Sequence, residues 1–151
     1  MVTRAIAEKL CRILDTRNPF ELAASLGIVV LYEPLGSIQG YYNKCYRQKF
    51  IHINEELDGY EATFACAHEL GHAILHSDVN TPFLRKNTMF SVGRIETEAN
   101  RFALDLLFED EELQPFLERS ITDAAAYMGV DVPLAKYRME GVVPTIWGMC
   151  E

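Results

Sequence analysis

One stretch, Ala67-His-Glu-Leu-Gly-His-Ala-Ile-Leu-His76, constrains this chain more than any other. In a helix, His68 and His72 lie one turn apart on a single face, where both imidazoles reach one ion. Glu69 is rotated by one residue from the first of them, so its carboxylate can take a proton from water at the metal without occupying the metal. The preceding run, Tyr60 to Ala67, contains no Pro or Gly and extends the helix toward the N-terminus. Gly71 costs about 1 kcal/mol against Ala in a helix interior, which calls for close approach by another backbone or a substrate.

Two histidines do not hold a catalytic zinc; such sites have three protein ligands and an open position. The segment Ser91 to Phe108 reads as the next long helix and carries two candidates, Glu96 and Glu98. At 100° per residue, Ile95, Ala99, Phe102, Ala103 and Leu106 form one apolar sector with Glu96 and Asn100 at its margin. Glu98 falls with Arg94, Arg101 and Asp105 on a face expected to be solvated. A core-facing carboxylate needs a partner charge, which selects Glu96 as third ligand and leaves Asn100 to orient a ligand from behind. His76 lies about 12 Å along a straight helix from His68 and reads as a terminal residue or a support for the ligands. Cys66 is about 200° from His68 and should point away.

The 151 residues fit one domain, 1–151, with residues 120–151 as a helical extension packed on it. A net charge of −8 argues against nonspecific nucleic-acid binding, so no direct nucleic-acid partner is expected. Cys11, Cys45, Cys66 and Cys150 show no paired spacing, as for thiols in a reducing compartment. The N-terminus lacks a signal-peptide core and no stretch approaches a membrane span, so a cytoplasmic location is expected.

Thr3 to Leu14 has amphipathic helical spacing with Thr3 as cap, and Asn18-Pro19 starts a short helix that Gly27 ends. Ile28 to Tyr32 reads as a buried strand. Ile38 to Asn43 and Gln48 to Asn54 make a hairpin with Phe50, Ile51 and Ile53 buried and His52 facing solvent. An exposed sheet edge beside the metal would take up an extended peptide. Asn80 to Phe90 reads as a loop, Glu109 to Glu112 as the solvated start of a helix, and Ser120 to Met128 and Val132 to Met139 as two short helices with too few basic residues for DNA. The tail through Trp147 is apolar enough to pack back. The whole is an α+β chain with a small, mostly antiparallel three-stranded sheet, the motif helix and short C-terminal helices.

The sequence resembles the ImmA/IrrE family of metallopeptidases through Phe64-x-x-x-His-Glu-Leu-Gly-His-x-x-Leu-His76 and Ile95-Glu-x-Glu-Ala-Asn-x-Phe-Ala-x-x-Leu-Leu107. The resemblance implies a zincin-like core, zinc held by His68, His72 and Glu96, and Glu69 as general base. It also implies, as substrate, a cognate helix-turn-helix repressor whose cleavage relieves repression of a mobile element or stress genes. The chain departs from the family pattern at Phe108-Glu109, where Met-Pro is usual. Tyr41, Tyr42, His76, Tyr127 and Arg138 are candidates for steadying the oxyanion. Two other readings are a metal-binding regulator that holds a repressor without cutting it, and a transcription factor using the C-terminal helices.

Overall fold

Asn18 shows how local chemistry sets this chain's elements. Its side chain accepts hydrogen bonds from the Phe20 and Glu21 amides, Pro19 occupies the first turn, and Gly27 at φ +72° releases the chain after the helix. The computed structural model describes residues 2–82 and 89–144. They fall into two compact units, Val2–Leu107 and a second that begins at Phe108.

The first unit runs α1 (Val2–Leu14), α2 (Pro19–Ser25), β1 (Val29–Glu33), β2 (Gly40–Cys45), β3 (Gln48–Asn54), α3 (Gly59–Leu75) and α4 (Met89–Leu107). A tight turn at Tyr46-Arg47 joins β2 to β3, so that pair is antiparallel, with Tyr42 opposite Ile51 and Gly40 opposite Ile53. β1 joins the other side of β3 in parallel, giving the order β1-β3-β2. The sheet is therefore mixed and not mostly antiparallel, because residues 34–47, with β2 inside them, supply the long crossover a parallel pair needs.

β1 also differs from the buried strand expected of its β-branched run. It is an edge strand, with Val29 and Leu31 each 38% exposed and Tyr32 57%. His52 is the converse case. Expected to face solvent, it is 9% exposed, because the Tyr41 ring stacks on it at 4.0 Å while Glu33 and Asn43 hold its two nitrogens.

On the inner face, Tyr42, Ile51 and Ile53 pack with Leu22, Leu70 and Phe102 into one core. α3 lies within it, buried without interruption from Ala65 to Ala73, which is why its polar residues cannot be incidental. α4 packs across α3 with its backbone close to Gly71. A Cβ on Gly71 would stand 3.3 Å from both Cα and O of Ala99. α1 covers the other flank of α4, so Asp105, assigned by helical phase to the solvated face, is 2% exposed and accepts from Thr3 Oγ1 at 2.9 Å. Thr3 accordingly sits inside α1 and does not cap it.

In the second unit, α5 (Asp110–Leu113) opens with a capping box between Glu109 and Glu112. A 3₁₀ turn, Gln114–Glu118, leads to α6 (Ile121–Met128), capped by Ser120 and closed by Gly129 at φ +72°. α7 (Val132–Glu140) is capped by Asp131. Arg138 is 1% exposed and donates to the Phe108 carbonyl and the Asp110 carboxylate, each at 2.8 Å. Of the two basic residues in α7, only Lys136 is therefore exposed to a partner. Most of the Asn80 to Phe90 stretch and the tail around Trp147 lie outside the described residues; helical backbone is already present at Thr81-Pro82 and from Met89. No helix among the described residues is long and apolar enough to cross a membrane.

Candidate metal centre

α3 carries His68 and His72 one turn apart, and α4, pressed against it at Gly71, brings Glu96 over both. The Nε2 atoms of the two histidines are 3.2 Å apart. Glu96 Oε1 lies 2.9 Å from His72 Nε2, and Oε2 lies 3.1 Å from His68 Nε2. Glu69 stands further back, with Oε2 3.9 Å from His68 Nε2, and is 3% exposed. The ligand atoms of His68, Glu69 and His72 all fall within 4.8 Å of one another, yet the Glu96 oxygens are closer to the nitrogen pair than those of Glu69.

The hydrogen bonds behind the rings fix which nitrogens carry protons. His68 Nδ1 is 2.7 Å from Asn100 Oδ1, an oxygen that can only accept, so Nδ1–H donates and the neutral ring turns the Nε2 lone pair inward. His76, just past the end of α3, has Nε2 3.1 Å from the Glu98 carboxylate and Nδ1 3.2 Å from His72 Nδ1. With the Glu98 carboxylate accepting from His76, His76 Nδ1 accepts in turn from His72, and the His72 Nε2 lone pair also faces inward. Glu98 is thus engaged with His76 and is not simply a solvated charge. His76 adopts φ −133°, which carries it off the helical path.

Two inward lone pairs and a carboxylate this close repel one another unless a cation lies among them. The spacing suits one. Zinc bonds of about 2.0–2.1 Å hold neighbouring ligand atoms about 3.3 Å apart around a tetrahedron. In the metal-free protein, protons play part of that role. Burial works against charging His68, but the Glu96 hydrogen bond and the Glu69 charge outweigh it and raise its pKa. Burial, with the His68 and His76 charges, lowers His72. Burial would raise Glu96, yet the bonds from His68 and His72 hold its carboxyl well below the usual range.

An open cleft of about 280 Å³ adjoins the cluster, lined among others by Gly40, Phe64, His68, Glu69, Glu96 and Asn100. Gly40 is the wall no other residue could form, since a Cβ there would sit 2.7 Å from the His52 carbonyl oxygen. The sequence signal for Gly40 is a glycine inside the strand run Ile38 to Asn43, which marks a close backbone approach. Cys66 is buried, its thiol pushed up to about 12 by burial and by Glu69. Tyr42 is fully buried with its hydroxyl donating to the Ser77 carbonyl at 2.6 Å, and Tyr41 lies on the opposite face of the sheet against His52. Tyr127 donates to Glu112 at 2.7 Å within the second unit, as Arg138 donates to its own neighbours.

Residues 23–140 match the family described as the IrrE N-terminal-like domain. Over 135 residues the chain is 41% identical to an uncharacterised immunity region protein 2 of Bacillus phage phi105, covering 87% of this chain and 85% of that protein. Over 133 residues it is 31% identical to the metallopeptidase ImmA of Bacillus subtilis strain 168, covering 84% and 78%.

Proposed function

Because the chain belongs to the IrrE N-terminal-like domain family, a family of metallopeptidases that includes a phage immunity-region relative, we propose that it is a zinc-dependent endopeptidase. In this reading His68, His72 and Glu96 hold the metal, Glu69 is the general base and the core is zincin-like. The convergence of His68 Nε2, His72 Nε2 and the Glu96 carboxylate within 3.2 Å of one another, with Glu69 just behind, carries it. Zinc is favoured by the donor set, two imidazole nitrogens and one carboxylate, beside an open cleft.

A divalent ion held by His68, His72 and Glu96 would polarise the scissile carbonyl and acidify the attacking water. Glu69 would accept the proton of the attacking water on a carboxylate oxygen and deliver it to the departing amine nitrogen. Its near-complete burial beside His68 holds the carboxylate in place at the cleft. Asn100 holds His68 in the required tautomer; Glu98, through His76, does the same for His72.

The substrate that fits a peptidase related to a phage immunity protein is a helix-turn-helix repressor encoded beside it, and its cleavage would relieve repression of a mobile element or stress genes. The test combines elemental analysis of untagged protein with incubation of that repressor. Near-stoichiometric zinc, lost in Glu96→Ala and kept in Glu98→Ala at saturating metal, together with repressor fragments, is the expected result. Absence of metal after zinc incubation overturns the reading. Stable repressor binding without fragments would instead favour a metal-binding regulator that acts without proteolysis.

A further inference from the structure

β2 is an edge strand, and its outward main-chain groups alternate along it. The Asn54 amide donates to the Gln39 carbonyl at 2.9 Å, so Gln39 points toward β3, and Gly40, Tyr42 and Lys44 point to the open side. Gly40 opens onto the cleft that contains His68, Glu69 and Glu96. Tyr42, one rung further on, is already occupied. Its amide donates to Thr81 Oγ1 at 3.0 Å, and the same hydroxyl donates to its carbonyl at 3.1 Å.

A single side chain thus imitates a neighbouring strand at one rung. A hydroxyl does this with one atom, because it accepts one hydrogen bond and gives another. The imitation is fixed in place. Thr81 is 1% exposed, the Tyr42 hydroxyl anchors the Ser77 carbonyl at 2.6 Å, and Lys44 reaches Asp78 at 3.2 Å, so residues 77–81 are tied to β2 by three separate contacts.

We propose that Thr81 is a specificity-determining residue that ends the substrate groove: an extended peptide pairs with β2 at Gly40, over the candidate metal ligands, and Thr81 denies it the next rung at Tyr42. The inference rests on the peptidase reading. The enzyme then gains nothing from substrate residues that would lie beyond Tyr42 on that side of the scissile bond. A repressor would need only a short extended segment at the site, which suits a linker or a locally unfolded stretch between helices.

Two measurements on the zinc-loaded protein test this. The first is hydrogen exchange at the Tyr42 amide, which is expected to be slow in the parent and in Thr81→Ser and faster in Thr81→Ala. The second is kcat/KM on a nested series of alanine-based peptides, from a tetrapeptide upward, extended at either end. The parent and Thr81→Ser should reach a plateau on one side, whereas Thr81→Ala should gain roughly tenfold with further extension on that side, the worth of a recovered main-chain rung. Equal Tyr42 exchange in parent and Thr81→Ala, or cleavage by both with the same dependence on length, overturns the role of Thr81 and leaves the peptidase standing. Failure of the parent to cut any peptide or the repressor overturns both.

Discussion

His72 Nδ1 lies 3.2 Å from His76 Nδ1, and the far nitrogen of His76 lies 3.1 Å from the Glu98 carboxylate, so a buried imidazole connects a surface carboxylate to an inner histidine. The arrangement locks the His72 ring and enriches its inward lone pair. Glu98→Ala and His76→Phe are expected to weaken zinc binding by about 10–100-fold while leaving saturable stoichiometry at one. Competition titration against a chromogenic chelator reads this; unchanged affinity in both variants would reduce the connection to packing.

Glu69 predicts a different separation of effects. Glu69→Gln preserves shape and removes the base, so zinc content should match the parent and hydrolysis should fall by about 10²–10⁴-fold or more. His72→Ala should lose both. Metal analysis and repressor cleavage on the same preparations distinguish the two, and retained cleavage by Glu69→Gln would exclude it as the base.

Acidity should act on metal binding with a definite sign. The metal-free protein holds a proton on His68 more tightly than an ordinary histidine near pKa 6.5, and zinc must displace that proton. Affinity is therefore expected to rise with pH through a window above about 6.5 and to level off once His68 is neutral without the metal. Calorimetry in buffers of different ionisation enthalpy would report the released proton, and a flat profile would contradict the protonation pattern.

Gly71 and Ala99 predict a linked loss of stability and metal. A valine at 71 would press 3.2–3.3 Å contacts onto the Ala99 backbone and the Phe102 ring. Gly71→Val should cost about 1–3 kcal/mol through overpacking, despite a better helix propensity than glycine. It should also weaken zinc binding, because parting α3 from α4 moves Glu96 away from both histidines. Thermal denaturation with and without zinc measures the two effects together.

What the sequence made legible follows the range of the interactions involved. α2 was readable from Asn18, Pro19 and Gly27, and the hairpin from its short polar connector, because caps and tight turns are decided within a few residues. α3 was readable from the run Tyr60 to Ala67, which holds no Pro or Gly and leads into the motif. The spacing that puts His68 and His72 on one face is a property of any helix. The side of β3 that β1 would join was not readable, since pairing across residues 34–47 leaves no local mark. Helical phase put Ala99, Phe102 and Ala103 in the core but misassigned Asp105, because phase anticipates one packing partner and α4 has two, α1 and α3. His52 was misread because its cover, Tyr41, lies eleven positions earlier and becomes its cross-strand neighbour only once the hairpin forms. Thr81 gave no signal, and the partner of Glu98 gave none, because Thr81 meets Tyr42 and Glu98 meets His76 only when distant segments are brought together.

The donors converge from two helices, His72 on α3 and Glu96 on α4, 24 positions apart in sequence. An ion shared between them is a removable cross-link that closes the intervening chain into a loop. Ligand binding to the folded state alone adds about 2.7 kcal/mol of stability when the free ligand is at 100 times its dissociation constant. The folded lifetime of the protein would then follow the supply of metal in its surroundings. Starvation for the ion would silence the chemistry and, by the same event, loosen the clasp between α3 and α4, exposing the chain itself to proteolysis.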